Sequence, residues 1–176
     1  AARNGDPAQA FAAFNAFRAL TAQREGPWGV SGINEALEAR YKRRFRLAER
    51  ERWYAGRAVM VQSNDYALGL FNGDIGICLQ TELGLRVLFE SEEGFRSFTT
   101  ARLPSHATAL AMTVHKSQGS EFSEVLLVLP EQPSPLLSRS LFYTGITRAK
   151  HKVEIWGLPA RLSEAVNTKE IGRAHV

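Results

Sequence analysis

Two apolar runs separated by seven polar residues constrain the fold of this chain more than any other feature. TALAMTV (108–114) and FSEVLLVLP (122–130) are short, aliphatic and nearly continuous in their hydrophobicity. That is the pattern of strands buried on both faces of a parallel sheet, not of half-exposed ones. Between them stand His115, Lys116, Ser117, Gln118, Gly119, Ser120 and Glu121. A cluster so rich in hydrogen-bonding groups, placed at the tip of buried strands, calls for a ligand or a structural explanation.

The flanking pattern predicts α/β architecture. After the second run come a loop with Pro130, Pro133 and Pro135, a helix over 136–149 and a strand over 152–156, the alternation of a parallel sheet. Upstream, Phe11, Phe14 and Phe17 at i, i+3 spacing predict a helix over 8–19, and LTAQ reads as a short strand. REGPWG breaks regular structure, and SGINEALEARYKRRF resumes a helix with Ser31 as N-cap and Ile33, Leu37 and Tyr41 along one side. From residue 57 the period changes. RAVMVQSND, DIGICLQ, LRVLFE and FRSFTTARL are β-type runs joined by FNGD, TELG and SEEG turns, which predicts a small barrel inserted into the larger domain. The expected division is 1–56 with 105–170 for the α/β domain and 57–104 for the insert.

A length of 176 residues accommodates one domain carrying such an insertion. The single cysteine, Cys78, sits in an apolar run and reads as a core residue; one cysteine excludes an intrachain disulfide framework and a cysteine-based zinc site, which favours a reducing, cytoplasmic setting. No apolar run approaches the roughly 20 residues that span a bilayer, so no membrane partner is expected. The chain opens on AARNGD without an initiator methionine and closes on IGRAHV, which resembles adapter read-through. It therefore reads as a fragment, with 171–176 as a non-native tail.

Charge is unevenly placed. The net charge is +4. Residues 38–52 (EARYKRRFRLAERER) hold seven basic and three acidic side chains, so this one segment carries the whole imbalance. Such a stripe suits a phosphate-bearing partner, and equally a solvated helix face.

Each residue of the 113–121 stretch suits phosphate or nucleic acid. Gly119 lets a backbone approach a ligand, and consecutive N–H groups there can cradle an anion. Lys116 supplies a cation, while Thr113, Ser117 and Gln118 offer neutral hydrogen bonds to a sugar–phosphate backbone. Glu121 can accept from a ribose hydroxyl. A polar loop at a sheet edge explains the cluster equally well. His115 lacks a second ligand at metal spacing and reads as a structural histidine. Arg139 and Arg148 lie near the two ends of LFYTGITRAKHKV. An arginine at Arg148, where helix gives way to strand, can stabilise a transferring γ-phosphoryl group or simply cap helix carbonyls. Asn64, Asp65, Asn72 and Asp74 read as turn formers, and Trp53 and Phe71 as core residues rather than base-stacking ones.

Taken together, MTVHKSQGSEF, an apolar strand and SRSLFYTGITRAKHKV resemble motifs V and VI of superfamily 1 helicases. REGPWGVSGINEALEARY, RWYAGRAVMVQSNDYALGLFNGDIGICL and ARLPSHATALAMTVHKSQGSEF are similar to the C-terminal part of the exodeoxyribonuclease V alpha-subunit (RecD) family. The resemblance covers most of residues 10–165. It implies a RecA-like second motor domain with an SH3-like β-barrel insert over 57–104. It implies Arg148 as the γ-phosphate-sensing arginine, with Arg24, Gly119, Glu121 and Arg139 on the nucleotide side. Thr113, His115, Lys116, Ser117 and Gln118 then face single-stranded DNA or couple it to ATP.

The chain contains no GxxxxGK[ST] and no strand ending in an Asp-Glu pair, so it is not expected to hydrolyse ATP alone. Magnesium ligands are expected in a preceding half. The resemblance implies ATP-driven 5′ to 3′ movement on DNA, with single-stranded and duplex-end DNA and the other exonuclease V subunits as partners, in recombinational repair. Two alternatives share the motifs: a related superfamily 1 helicase (relaxase-linked or stand-alone), and a non-catalytic DNA- or partner-binding domain.

Overall fold

The computed structural model describes residues 6–168; the expected tail at 171–176 lies outside them. The described residues divide into two compact units, one formed by 6–15 with 36–110 and the other by 16–35 with 111–168.

The first unit is built on an antiparallel sheet. Helix α1 (Pro7–Ala16) precedes it, and strands β2 (Ala58–Val61), β3 (Ile75–Thr81), β4 (Gly84–Ser91), β5 (Gly94–Thr99) and β6 (His106–Thr108) run in the order β5-β4-β3-β2-β6. Alternation along the strands divides their side chains between two faces. Ile77, Leu79 and Leu88 pack against Ala10 and Phe11 of α1. Val59, Val61, Cys78, Val87, Phe89 and Phe98 form a second cluster with Leu70. The turns fall where TELG and SEEG predicted them. Gly84 and Gly94 carry φ of 86° and 116°, a region that disfavours a Cβ.

The second unit holds a four-stranded parallel sheet. Strands β1 (Phe17–Thr21), β7 (Ala111–Thr113), β8 (Phe122–Val128) and β9 (Ala149–Trp156) run in the order β7-β1-β8-β9. Helix α3 (Arg139–Ile146) links β8 to β9, and α4 (Pro159–Asn167) follows. Leu20, Val114, Val125, Leu127, Leu129 and Leu137 are buried here. The apolar run 122–130 thus gives an inner strand of a parallel sheet, β8, as its composition predicted, while β7, from the run before it, lies at the edge. Helix α2 (Val30–Phe45) begins in this unit and ends in the other.

Four boundaries differ from the sequence reading. The first helix stops at Ala16, and Phe17–Thr21 becomes a strand held between β7 and β8; pairing on both sides outweighs the helical spacing of the phenylalanines. The strand expected over 108–114 is two strands in two sheets, β6 ending at Thr108 and β7 starting at Ala111. The helix expected over 136–149 starts after Ser138, whose hydroxyl accepts from Leu141 N at 3.2 Å, and ends at Ile146. Ser31 is not an N-cap: α2 begins one residue earlier, and the Ser31 hydroxyl donates back to the Arg24 carbonyl at 3.2 Å.

Candidate functional site

The parallel strands give the second unit two distinct ends. Thr113 pairs with Thr21, which pairs in turn with Val128, so these three mark the carboxyl end. Phe122 pairs with Ala149 at the amino end of β8 and β9. From Phe122 to Val128 the strand climbs about 3.3 Å per residue, roughly 20 Å in all. The loop 114–121 therefore runs from one end of the sheet to the other. The sequence placed the whole polar cluster at one tip; the structure divides it.

At the carboxyl end the loop begins as a tight turn. Thr113 Oγ1 accepts from Lys116 N at 3.2 Å, and a single 3-10 turn covers His115–Ser117. Ser117 is fully buried, and its hydroxyl donates to the Val114 carbonyl at 2.7 Å. Ser117 therefore lies beneath the surface of the loop, with its hydroxyl proton committed to the turn. Thr113 is also buried, while His115, Lys116 and Gln118 are exposed. Arg24 leaves this same end, in the loop after β1, and is exposed. That loop is pinned by Thr21 Oγ1, which donates to the Trp28 carbonyl at 2.7 Å.

At the amino end stand Gly119, Glu121 and Arg148. Gly119 has φ of 83°, and nothing lies within 4 Å of the position a Cβ would take. Glycine is required there by backbone conformation and not by crowding. Glu121 pairs with Lys150 at 3.2 Å, with both side chains more than half exposed, so the pair contributes little to stability. Arg148 donates through Nε to the Thr144 carbonyl at 3.1 Å, through Nη1 to the Ser120 carbonyl at 3.2 Å and through Nη2 to Thr147 Oγ1 at 3.3 Å. Its own carbonyl accepts from Phe122 N at 2.8 Å. The guanidinium thus joins the end of α3 to the loop before β8. Both readings of Arg148, a helix cap and a charge held ready for phosphate, share this geometry.

Arg139 lies apart from that set. Its Nε donates to the Val166 carbonyl at 2.7 Å and its backbone N to the Thr168 carbonyl at 2.9 Å, tying the start of α3 to the end of α4. Among the other residues weighed, Trp53 packs against the core with Arg57 4.6 Å over its ring. Asn64, Asp65 and Asp74 each accept a nearby backbone N–H, as turn formers do. Phe71 is exposed, 5.9 Å from the ring of Tyr66.

Two residues escaped the sequence reading. Arg18, in the central strand β1, is almost wholly buried with its guanidinium 4.9 Å over the Phe122 ring. Burial pulls its pKa down to about 9. Asn34, on α2, is buried; its Oδ1 accepts from Ala111 N at 2.7 Å and its Nδ2 donates to Ala111 O at 3.4 Å. It serves β7 as a neighbouring strand would. The signal in both cases was a lone polar residue within an apolar pattern.

Comparison with known proteins bears out the family resemblance. Residues 108–155 match the UvrD-like helicase C-terminal domain. The RecBCD enzyme subunit RecD of Mycobacterium tuberculosis is 39% identical over 162 residues, which is 92% of this chain and 28% of that protein. The subunit of the same name from Haemophilus influenzae is 41% identical over 145 residues, 81% of this chain and 22% of that protein. The ATP-dependent RecD2 DNA helicase of Deinococcus radiodurans is 36% identical over 168 residues, 90% of this chain and 23% of that protein. The chain spans less than a third of the length of each of these relatives.

Proposed function

We propose that this chain, which matches the C-terminal part of RecD helicase subunits, acts as the second RecA-like motor domain of an ATP-dependent 5′ to 3′ DNA helicase of the exonuclease V type. The observation that carries the reading is the bond from Arg148 Nη1 to the Ser120 carbonyl. It joins the motif VI arginine to the motif V loop, whose other end carries Thr113, His115, Lys116 and Gln118.

ATP, when bound, supplies the phosphoanhydride whose hydrolysis drives movement. The residues at the amino end fit such a ligand: a cationic guanidinium, the open backbone of Gly119 and an exposed carboxylate at Glu121 able to accept from a sugar hydroxyl. Arg148 exchanges three neutral acceptors for phosphate oxygens, and charge-assisted hydrogen bonds of that kind are roughly twice as strong. Ser120 then loses its donor, and the loop 114–121 is freed to shift at its DNA-facing end. Nucleotide state is so passed to the strand of DNA through one peptide loop. Among the described residues no group of three or more His, Cys, Asp or Glu side chains could hold a metal ion, and in this reading the magnesium ligands come from the preceding part of the protein.

In this reading the antiparallel sheet is the SH3-like insert. Single-stranded and duplex-end DNA and the other exonuclease V subunits are the partners, in the cytoplasm and in recombinational repair. Among the described residues no helix is long and apolar enough to cross a membrane. The similarity to the RecD2 DNA helicase supports a second reading, a related helicase acting outside such a complex.

The test is single-stranded-DNA-stimulated ATPase activity of the full-length protein, with and without Arg148→Ala. An arginine that stabilises phosphoryl transfer is worth roughly 10³ to 10⁵ in turnover. A loss of that order with nucleotide binding retained supports the reading; equal turnover sinks it. Co-purification with other subunits separates the first reading from the second.

A further inference from the structure

The surplus charge of residues 38–52 gathers on one surface of the first unit. The inner face of α2 is fixed there by its aromatic residues: the rings of Tyr41 and Phe45 lie 4.5 Å apart, Tyr41 stacks on Tyr54 at 5.3 Å, and the Tyr41 hydroxyl donates to the Ala55 carbonyl at 2.6 Å. Arg40, Arg43 and Arg44, at i, i+3 and i+4, form a group of neighbours on the exposed face. The chain then turns at Arg46, with φ of 55°, and presents Arg50 and Arg52, both exposed.

None of these six guanidinium groups, among the described residues, has an ion-pair or hydrogen-bond partner. Lys42, in their midst, is different: it pairs with Glu38 at 3.0 Å and donates to the Glu49 carbonyl at 3.0 Å. The helix dipole favours cations in the last turn, which accounts for Arg43 and Arg44. It accounts neither for Arg40, a turn earlier, nor for Arg46, Arg50 and Arg52, which lie beyond the helix. Like charges at helical spacing repel one another, so the cluster is relieved by a polyanion. Beside it lies a hollow of about 260 Å³ whose walls include Tyr41, Phe45, Tyr54, Gln80 and Leu85, with the Glu51 carboxylate on one side. A hollow with aromatic side chains and hydrogen-bonding groups in its wall, next to unpaired cations, suits an unpaired base on a charged backbone. A duplex keeps its bases stacked inside and offers none to the hollow.

We propose that Arg40, Arg43, Arg44, Arg46, Arg50 and Arg52 form a second track for single-stranded nucleic acid, separate from the 113–121 loop, with the aromatic hollow receiving one base. The proposal rests on the reading of the protein as a DNA-tracking helicase. It adds a contact which that reading does not need.

The test uses the full-length protein and oligothymidylate, with a duplex of equal length alongside, and follows fluorescence anisotropy over a range of salt. The variants are the triple Arg40→Gln, Arg43→Gln, Arg44→Gln and the matching triple with Lys. Single strands release roughly 0.7 counterion per phosphate contact, so losing three contacts lowers the salt slope by about two. The Gln variant is expected to show that shallower slope and weaker binding at low salt, and the Lys variant to keep the wild-type slope. ATPase turnover at saturating DNA stays at the wild-type level in both. An unchanged slope in the Gln variant overturns the proposal, as does a loss confined to duplex or to co-purifying protein. A wild type that binds no single strand sinks the helicase reading itself, a distinguishable result. Thermal unfolding of the two variants checks that the fold is retained.

Discussion

Arg148 Nη1 donates to the Ser120 carbonyl at 3.2 Å, so the residue two past the end of α3 is bound to the loop that leads into β8. The contact joins residues 28 positions apart and is one of three that hold the guanidinium. Its removal should be felt in the loop before it is felt in the fold.

Arg148→Ala is expected to raise hydrogen exchange at the amides of Gln118 and Ser120, which bond to the His115 and Ser117 carbonyls. Amides in the β1–β8 ladder should be little changed, because local opening and global unfolding are separate events. Exchange followed by mass spectrometry reads this directly. Protection lost evenly across the unit would mean that Arg148 is simply a structural support.

Asn34→Ala removes both partners of the Ala111 backbone. Each buried group left unsatisfied costs about 1–3 kcal/mol, so urea denaturation should show a loss of several kcal/mol. Asn34→Asp keeps the acceptor for Ala111 N and sets a carboxylate against the Ala111 carbonyl. It should be no better tolerated. A near-neutral Asn34→Ala would show that water takes over the bonds.

Two glycines should fail for different reasons. Gly119→Ala meets empty space but a φ of 83°, a conformation costing an L-residue roughly 1–2 kcal/mol. It should lower DNA-stimulated turnover with a modest shift in Tm, and Gly119→Asn should be milder. Gly76→Ala would place a Cβ 2.5 Å from the Phe89 ring and 2.7 Å from Val87. Overpacking of this kind costs about 1–3 kcal/mol, and calorimetry should record it as a lower Tm.

Cys78 is fully buried, and burial pushes its thiol pKa up to about 11 from the ordinary 9.0. The unfolded chain releases this proton near pH 9 while the folded chain holds it to near pH 11. The group therefore contributes nothing below pH 9, and stability falls as pH rises from 9 to 11. At pH 8 a thiol reagent should modify the native protein only at the rate of unfolding; rapid stoichiometric labelling would contradict the buried position.

What could be read in advance was what depends on near neighbours. The apolar runs around 113–121 announced a parallel sheet, and the TELG and SEEG turns announced hairpins, because strand burial and turn conformation are written in consecutive residues. Phe17 was misplaced for the same reason. Its spacing from Phe11 and Phe14 is helical, and only its pairing with Glu124 of β8 turns it into a strand residue. The bond from the Ser117 hydroxyl to the Val114 carbonyl was equally hidden, because a hydroxyl's partner is invisible until the turn is in place.

By itself the sequence determined the α/β pattern, the β-rich segment, the motifs and the place of the surplus charge, since all of these rest on residue type and short-range periodicity. The tertiary structure alone decided that the polar cluster spans both ends of the sheet, that Arg148 holds Ser120, and that Asn34 completes the edge of β7. Those facts depend on strand order and register. Partners as distant in sequence as Thr21 and Val128 meet there, and hydrogen bonds between them form only once buried pairing has fixed which ends of the strands face which way.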